Sequence, residues 1–183
     1  MSKLLIILTA LSSFLTNLET KTLQSDFTLT VAADASQPLN HTGTITMQGE
    51  RFRLAIFDME AAYDGNTLYI YSADTDELTL SHPTAQELLE TNPFLYARAL
   101  SEVCNITERE AGGSTIITLT PKDQSIGIQR FVLTLNADKL PSRLEIREGK
   151  KTTTLTLRNP QYVSETPVYV LTPSATTFVN DLR

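Results

Sequence analysis

The sequence predicts a mainly β protein in which a strongly curved, half-open antiparallel sheet is covered by an N-terminal helix and a central helical segment. Three observations support this fold class. From residue 26 onward, apolar and polar residues alternate with the two-residue period of half-buried strands. Turn sequences follow one another closely, which makes most neighbouring strands antiparallel. The apolar spacing typical of helices is found at the N-terminus and in residues 84–100.

The first 18 residues allow two interpretations. As a helix they carry an apolar stripe at i, i+3, i+4 and i+7 spacing, formed by Leu4, Ile7, Leu8, Leu11, Phe14, Leu15 and Leu18. As a secretory signal they offer Lys3 and an apolar run, but no convincing small-x-small cleavage site. The run would be about 22 Å long, too short for a hydrocarbon core of about 30 Å. We expect residues 1–22 to form a lid helix, with a signal segment as the second interpretation.

Strict alternation of apolar and polar residues predicts the strands in the first half of the chain. It is clearest at residues 26–31, 44–48 and 51–56, where apolar side chains share one face and threonine or arginine occupies the other. The dipeptide Asp64-Gly65 then predicts a tight hairpin, because such a turn needs a residue that adopts positive φ. The returning strand is expected at residues 67–71.

A helical segment interrupts the strands in the middle of the chain. Residues 84–90 open with Thr84 and Glu87 at the spacing of a capping box, which indicates a helix start. Pro93 breaks the pattern, because proline cannot continue a helix interior. Residues 94–100 are expected to form a second short helix.

Short strands resume after the helices. They are expected at residues 115–120, 129–135, 143–148 and 152–158, with turns at Gly112-Gly113, Asn136–Lys139 and Gly149-Lys150. No repeat and no low-complexity linker divides the chain. Residues 1–183 are therefore expected to form a single domain.

Composition argues against several functional classes. The net charge is -6, whereas nucleic-acid binding needs clustered Lys and Arg. His41 and His82 have no ligand partners at suitable spacing, so no metal is expected. Cys104, the single cysteine, is expected to be a half-buried strand thiol. Without a recognisable catalytic motif, we expect a non-enzymatic protein with no cofactor.

The apolar face of the sheet leaves two possibilities open. The 27 threonines are expected mainly on the outer face, which leaves leucine and isoleucine inside. A filled core and a cavity need the same inward residues, so periodicity alone does not distinguish them. The aromatic residues Tyr69, Tyr71, Phe94 and Tyr96 fit a core or a binding site in the same way.

A series of short sequence words resembles the outer-membrane lipoprotein carrier family, LolA and its LolA-like relatives. In order, the words are Gly43-x-Ile45-x-Met47, Arg51–Leu54, Tyr63–Tyr71, Asn92-Pro93-Phe94, Leu119–Lys122, Arg130-Phe131-x-Leu133, Leu140-Pro141, Leu171-Thr172-Pro173 and Asn180–Arg183. Each word is short, but their order is specific. The resemblance spans residues 23–183, and residues 1–22 fit the first helix of the family.

The resemblance implies a half-open antiparallel β-barrel with helices as a lid over an apolar cavity. It implies a periplasmic carrier that binds acyl chains of lipoproteins, or a related lipid, and delivers them toward the outer membrane without covalent chemistry. The implied partners are the acylated lipoprotein or lipid, an inner-membrane release complex and an outer-membrane acceptor. We expect a monomer that binds neither nucleic acid nor metal.

With a cavity implied, strand phase predicts its lining. The expected cavity residues are Leu29, Val31, Ile45, Met47, Phe52, Leu54, Ile56, Tyr69, Tyr71, Phe131, Leu133, Leu144 and Ile146. The expected lid residues are Leu8, Leu11, Leu15, Phe94, Leu95 and Leu100. The flexible thioether of Met47 suits a surface that accommodates different chains.

One feature departs from the family that the sequence resembles. Proteobacterial carriers of that family have an Arg-Pro pair before the equivalent of Phe52, and that arginine latches the lid. Here the aligned pair is Gln48-Gly49, and alternation places Arg51 and Arg53 on the outer face. Two other functions remain open: an envelope sensor or regulatory module that reads lipid or peptide on the same fold, and a scaffold with a filled core.

Overall fold

The computed structural model describes residues 2–33, 37–165 and 167–183, with side chains from residue 10 onward. The helices are α1 (Ser2–Thr20), α2 (Ala85–Thr91) and α3 (Leu95–Ser101). The strands are β1 (Thr22–Ala33), β2 (Leu39–Gln48), β3 (Arg51–Ile56), β4 (Met59–Tyr63), β5 (Leu68–Ser72), β6 (Glu77–Ser81), β7 (Cys104–Ala111), β8 (Ser114–Pro121), β9 (Arg130–Leu135), β10 (Pro141–Glu148), β11 (Lys151–Val163) and β12 (Phe178–Asp181).

All these strands belong to one curved sheet, in the order β12-β6-β5-β4-β3-β2-β1-β11-β10-β9-β8-β7. Neighbours are antiparallel, except that β12 runs parallel to β6. The long strands β1 and β11 pair at the centre and join distant parts of the sequence. Within the described residues, β7 and β12 are the two edge strands and do not pair with each other, so the barrel stays open. The predicted fold class is confirmed.

Short turns connect the strands where the sequence predicts them. Gly112 and Gly113 have φ of +59° and +79°, as a two-residue hairpin of this kind requires. In contrast, Gly43 lies within β2 and is needed for space, because a Cβ there would overlap the carbonyl oxygen of Ala55 and the ring of Phe27. Gly43 therefore leaves the space that the Phe27 ring occupies beside β2.

Two of the helices fill one end of the concave face. Helix α1 inserts Leu11, Phe14 and Leu18, each at most 3% exposed. Helix α3 adds Tyr96, Ala97 and Leu100, and Phe94 at its start meets the Phe14 ring with a centroid distance of 6.4 Å. These side chains cover a core built from Leu23, Met47, Phe52, Ile117, Leu119, Phe131, Leu133 and Leu144.

A second apolar cluster lies on the convex face. It joins Tyr69, Leu78 and Leu80 of β5 and β6 to Leu171 of the C-terminal segment, with Tyr71 packed against them. The segment that carries Leu171 precedes β12, whose pairing with β6 fixes it to this face. The convex face of β5 and β6 is therefore covered by the C-terminal segment.

None of the helices in the described part of the chain combines the length and hydropathy needed to cross a bilayer.

Candidate ligand cavity

A cavity of about 550 Å³ occupies the concave face beside the core. Its apolar lining consists of Phe27, Leu29, Val31, Ile45, Leu54, Ile56, Met59, Ala61, Ile70, Leu89, Pro93, Ile146 and Leu155. Its polar lining consists of Glu90, Thr91, Tyr96, Glu148, Lys151 and Thr153. This volume lies within the range of about 300–1,000 Å³ typical of small-molecule sites.

The wall of the cavity follows from strand register. Ile45, Leu54, Ala61 and Ile70 lie directly opposite one another across β2, β3, β4 and β5. Since side chains opposite each other in register share a face, four short strands build one continuous apolar band. The small side chain of Ala61 leaves space in the middle of this band.

Helix α2 covers the cavity and is held mainly at its ends. At its start, the Thr84 hydroxyl accepts from the Glu87 N–H, while the Thr84 N–H donates to a Glu87 carboxylate oxygen at 2.7 Å. This arrangement is the predicted capping box. None of the residues of α2 is fully buried, although Leu89 contacts the cavity. The half-buried Leu88 and Leu89 pack against the core, so α2 is anchored by two leucines without burying any of its residues fully.

A buried asparagine joins α2 to α3. Asn92 is fully buried, its Oδ1 accepts from the Phe94 N–H at 3.1 Å, and its Nδ2 lies 4.0 Å from the Met47 sulfur. Its backbone N–H also donates to the Leu88 carbonyl at the end of α2. Because these bonds satisfy a buried amide, the joint is fixed while α2 extends from it over the cavity.

One end of the cavity is polar. Lys151 Nζ lies 3.5 Å from a Glu148 carboxylate oxygen, and Glu90 accepts a hydrogen bond from the Gln86 amide at 2.9 Å. Burial raises the pKa of the Tyr96 phenol, and the nearby carboxylates of Glu148 and Glu90 raise it further. The cavity therefore has an apolar wall and a hydrogen-bonding end that carries both signs of charge.

The single cysteine is not part of the cavity lining. Cys104 is buried at the start of β7, where burial raises the pKa of its thiol and favours the protonated form. Among the described residues, no three of His, Cys, Asp and Glu are grouped as metal ligands would be. The arrangement can enclose an amphiphilic molecule and hydrogen-bond its polar end.

The family is decided by the sequence match. Residues 18–168 match the model of the family described as outer membrane lipoprotein carrier protein LolA. The chain belongs to this family. The resemblance that the short sequence words indicated is thereby confirmed.

Solved structures agree with the LolA fold. The chain is similar to an uncharacterized conserved protein from Thermus thermophilus, with a TM-score of 0.61 and 11% identity over 93% of this chain and 96% of that chain. It is also similar to the Mycobacterium tuberculosis lipoprotein LppX, with a TM-score of 0.51 and 14% identity over 89% of this chain and 98% of that chain. At such identities the likeness concerns the fold alone. No curated protein sequence gives a significant match.

Six residues predicted for the cavity line it in the structure: Leu29, Val31, Ile45, Leu54, Ile56 and Ile146. Five others, Met47, Phe52, Phe131, Leu133 and Leu144, lie on the same concave face but belong to the packed core next to α1 and α3. The cavity-lining residues and the core residues share the concave face but lie at different positions along their strands. Periodicity identifies the face of a residue, whereas the helices decide which part of that face is filled.

The structure corrects the prediction that Tyr69 and Tyr71 line the cavity wall. Both lie on the convex face in the cluster around Leu171, and Ile70 between them lines the cavity instead. The strand is apolar on both faces, so alternation gives no reliable phase here. The aromatic residues had suggested the inner face, but the C-terminal segment covers them from outside.

The predicted lid residues form the fixed part of the cover. Leu11, Phe94 and Leu100 are buried in the core, and Leu15 and Leu95 are half-buried. Leu8 lies outside the residues whose side chains are described. The residues that cover the cavity directly are Leu89, Pro93 and Tyr96, none of which is among the cavity or lid residues predicted from the sequence. The apolar pair Leu88-Leu89 in the predicted helix was the available signal.

In this LolA-family member, the residues at the Arg-Pro position hold α1 in a different way. The Gly49 N–H donates to the Leu18 carbonyl at 2.6 Å, and the Gln48 amide lies 3.5 Å from the Glu19 carbonyl. Glu19 also forms an ion pair with Arg98 of α3. The β2–β3 turn therefore binds the end of α1 through its backbone, and an ion pair links α1 to α3.

Proposed function

We propose that this protein is a periplasmic carrier that binds the acyl chains of lipoproteins, or of a related lipid, and delivers them toward the outer membrane. The observation that carries the proposal is the half-open 550 Å³ cavity, which has an apolar band of four strands in its wall and α2 over it. Membership of the LolA family supports the choice of ligand class.

The energetics of acyl binding suit such a cavity. Each methylene moved out of water contributes about 0.8 kcal/mol, so a chain of about 16 carbons gains roughly 12 kcal/mol before the costs of binding. Lost translational freedom and ordering of the chain remove several kcal/mol of this gain. The remaining affinity is sufficient to keep a chain out of water during transfer.

Release needs a part of the cover that moves easily, and α2 has the right properties. It contacts the cavity through Leu89 but buries none of its residues fully, whereas α1 and α3 bury several. A ligand that binds the form with α2 displaced shifts the population toward that form. The buried Asn92 would stay in place at the end of the moving segment, and α1 and α3 would keep the core intact.

The proposed partners follow from the family: an inner-membrane complex that releases the ligand and an outer-membrane acceptor that receives it. We propose that the carrier works as a monomer in the periplasm. A transfer assay tests the carrier role directly, because a carrier must move a labelled acylated peptide from donor vesicles to separate acceptor vesicles. Binding without transfer would favour a sensor, and no binding of any acylated species would refute the proposal.

The substitution Leu54→Glu tests whether the cavity is the binding site. Leu54 lies in the apolar band, and a carboxylate there would be buried against the acyl chain without a partner. We expect uptake of a fluorescent fatty-acid probe to be abolished. The control Thr156→Glu adds the same charge at an exposed position of β11, opposite Arg143, and should leave uptake unchanged. Uptake by folded Leu54→Glu protein would contradict this assignment of the site.

A further inference from the structure

Large apolar side chains that face solvent border the cavity, and we call these residues the rim. The rim consists of Leu39 at the start of β2, Phe57 in the β3–β4 turn and Met59 at the start of β4, which are 62%, 86% and 44% exposed. Scattered exposed apolar residues are ordinary, whereas a group of them beside a cavity marks a contact surface. The inference drawn from the rim rests on the proposed function, in which the cavity takes acyl chains.

Strand register connects each rim residue to the cavity lining. Leu39 lies opposite Val31, which lines the cavity, and Met59 lies opposite Ile56 and itself lines the cavity. Phe57 follows Ile56 directly in the chain. Since side chains opposite each other in register share a face of the sheet, Leu39 and Met59 lie on the concave face with the cavity. The apolar wall therefore continues from the cavity out to the exposed rim.

Phe57 occupies a position that would suit glycine better. Among the described residues it is the most exposed large apolar side chain, and its backbone has φ of +55°. A β-carbon is disfavoured at positive φ, and an exposed ring gains nothing from water. The His41 ring meets the Phe57 ring at a centroid distance of 6.0 Å and supports it from one side. An aromatic ring kept in solvent at such a backbone position, next to an apolar cavity, indicates contact with a second apolar phase.

A lipid bilayer fits the rim better than a folded protein does. A specific protein interface takes about 20–30 residues from each partner, whereas the rim is three side chains at strand ends and in a turn. Insertion of apolar side chains at the boundary of head groups and acyl chains needs no matching surface, and its strength follows the apolar area buried. The net charge of -6 and the neighbouring Asp58 oppose attraction to anionic lipid. The contact is therefore apolar and suits zwitterionic lipid.

We propose that the rim inserts into the surface of a zwitterionic bilayer, so that an acyl chain passes between the membrane and the cavity without crossing water. Phe57 and Leu39 enter the boundary between head groups and acyl chains, and Met59 joins the inserted rim to the cavity. The bilayer itself then supplies or takes the chain. An acceptor protein raises the rate of this step without being required for it.

A single tryptophan reports on insertion, because the chain has none of its own. The emission of Phe57→Trp should shift to shorter wavelength with phosphatidylcholine vesicles and be quenched by brominated acyl chains. Val168 is 67% exposed and provides the control Val168→Trp, which should not respond. The neighbouring Tyr169 ring lies 5.4 Å from the Arg51 guanidinium, at the end of β3 farthest from Phe57. No shift at position 57, a shift that requires phosphatidylglycerol, or the same shift in the control would overturn the proposal.

Transfer of a fluorescent fatty-acid probe to protein-free vesicles tests the function of the contact. The rate should rise with vesicle concentration, because collision with the bilayer precedes transfer. Leu39→Thr/Phe57→Asn removes two rim side chains that lie outside the cavity lining, and asparagine tolerates the positive φ. This variant should transfer the probe about 10-fold more slowly while its affinity for the probe is unchanged.

The control for the transfer assay removes two exposed apolar side chains outside the rim. Val168→Thr/Leu182→Thr changes residues that are 67% and 63% exposed, and it should transfer the probe at the original rate. Equal slowing in both double variants would refute the assignment of the rim. A rate that is independent of vesicle concentration would show that the chain enters water first, which contradicts the proposal.

Failure of this inference can be distinguished from failure of the proposed function. If the fatty-acid probe does not bind at all, both are wrong. If the probe binds, but position 57 does not insert and transfer requires vesicles that carry envelope membrane proteins, the rim contacts a protein and only the rim inference is wrong. If position 57 inserts but no chain moves between vesicles, the carrier role is wrong and the bilayer contact stands.

Discussion

Chain-length selection offers a quantitative test of the cavity, and Ala61→Leu is the substitution that measures it. Ala61 is 6% exposed and lies between Leu54 and Ile70 in the apolar band. Leucine adds three carbons, which occupy roughly 90 Å³ of the space beside the band. The space for about three methylenes of the ligand is thereby lost.

The expected effect depends on the length of the ligand. At about 0.8 kcal/mol per methylene, three lost methylenes weaken binding of the longest chains by about 2.4 kcal/mol, which is roughly 50-fold. Chains with several carbons fewer leave the added side chain enough space and should bind as they do to the original protein. Competition by saturated fatty acids of about 10 to about 18 carbons would give the affinity at each length.

A matched variant and two outcomes make this test decisive. Ala55→Leu adds the same three carbons on the outer face of β3, where Ala55 is half-buried opposite Glu60, and should not change the length profile. A uniform loss at all lengths in Ala61→Leu would mean that the substitution disturbs the fold rather than shortening the cavity. An unchanged profile would mean that acyl chains bind elsewhere.

Three further predictions concern stability and the cover. Gly43→Ala should lower the free energy of unfolding by about 1–3 kcal/mol in urea titration, because the new methyl group would overlap the Phe27 ring. Phe57→Gly should raise it by about 0.5–1 kcal/mol, since Phe57 is 86% exposed and has φ of +55°, which favours glycine. Hydrogen bonds from the backbone and the hydroxyl of Thr84 hold the pKa of Glu87 below its ordinary value. This bond therefore stabilises α2 above about pH 4.3 and is lost as the pH falls through the lowered pKa, which the NMR shifts of α2 would follow.

A specific result would contradict each of these three predictions. For Gly43, the exposed neighbour Thr42 provides the control Thr42→Ala. Equal stability of the two variants would mean that the protein accommodates a methyl group at position 43 without loss of stability. Lower stability of Phe57→Gly would show that the ring contributes through its contact with His41, at a centroid distance of 6.0 Å. If Glu87→Gln leaves the acid transition of α2 unchanged, another group governs it.

Local features of this protein could be predicted from the sequence because they depend on neighbours along the chain. The capping box of Thr84 and Glu87 and the Gly112-Gly113 hairpin are formed by residues within one turn of each other. Strand phase was also correct where one face is polar: Leu29, Val31 and Leu54 face inward because threonine and arginine alternate with them. At those positions the polar side chains must face water, so the apolar side chains between them must face inward.

The tertiary structure decided where the interior is empty. Met47 and Leu54 face the same concave side, yet Met47 is packed in the core and Leu54 lines the cavity, because α1 and α3 cover only one end of the sheet. The sequence carries no signal for that boundary, since packed and cavity-lining positions need the same apolar side chains. It is set by helices that reach these strands from distant parts of the chain.

The sequence by itself determined the family, the mainly β fold and the inner face of most strands, because these follow from alternation and from short words in a fixed order. It could not orient the strand that contains Tyr69 and Tyr71, where both faces are apolar. There the choice depended on Leu171, about a hundred residues further along the chain, which covers the convex face and leaves Ile70 for the cavity. Long-range packing thus decided the cavity that the local pattern had left open.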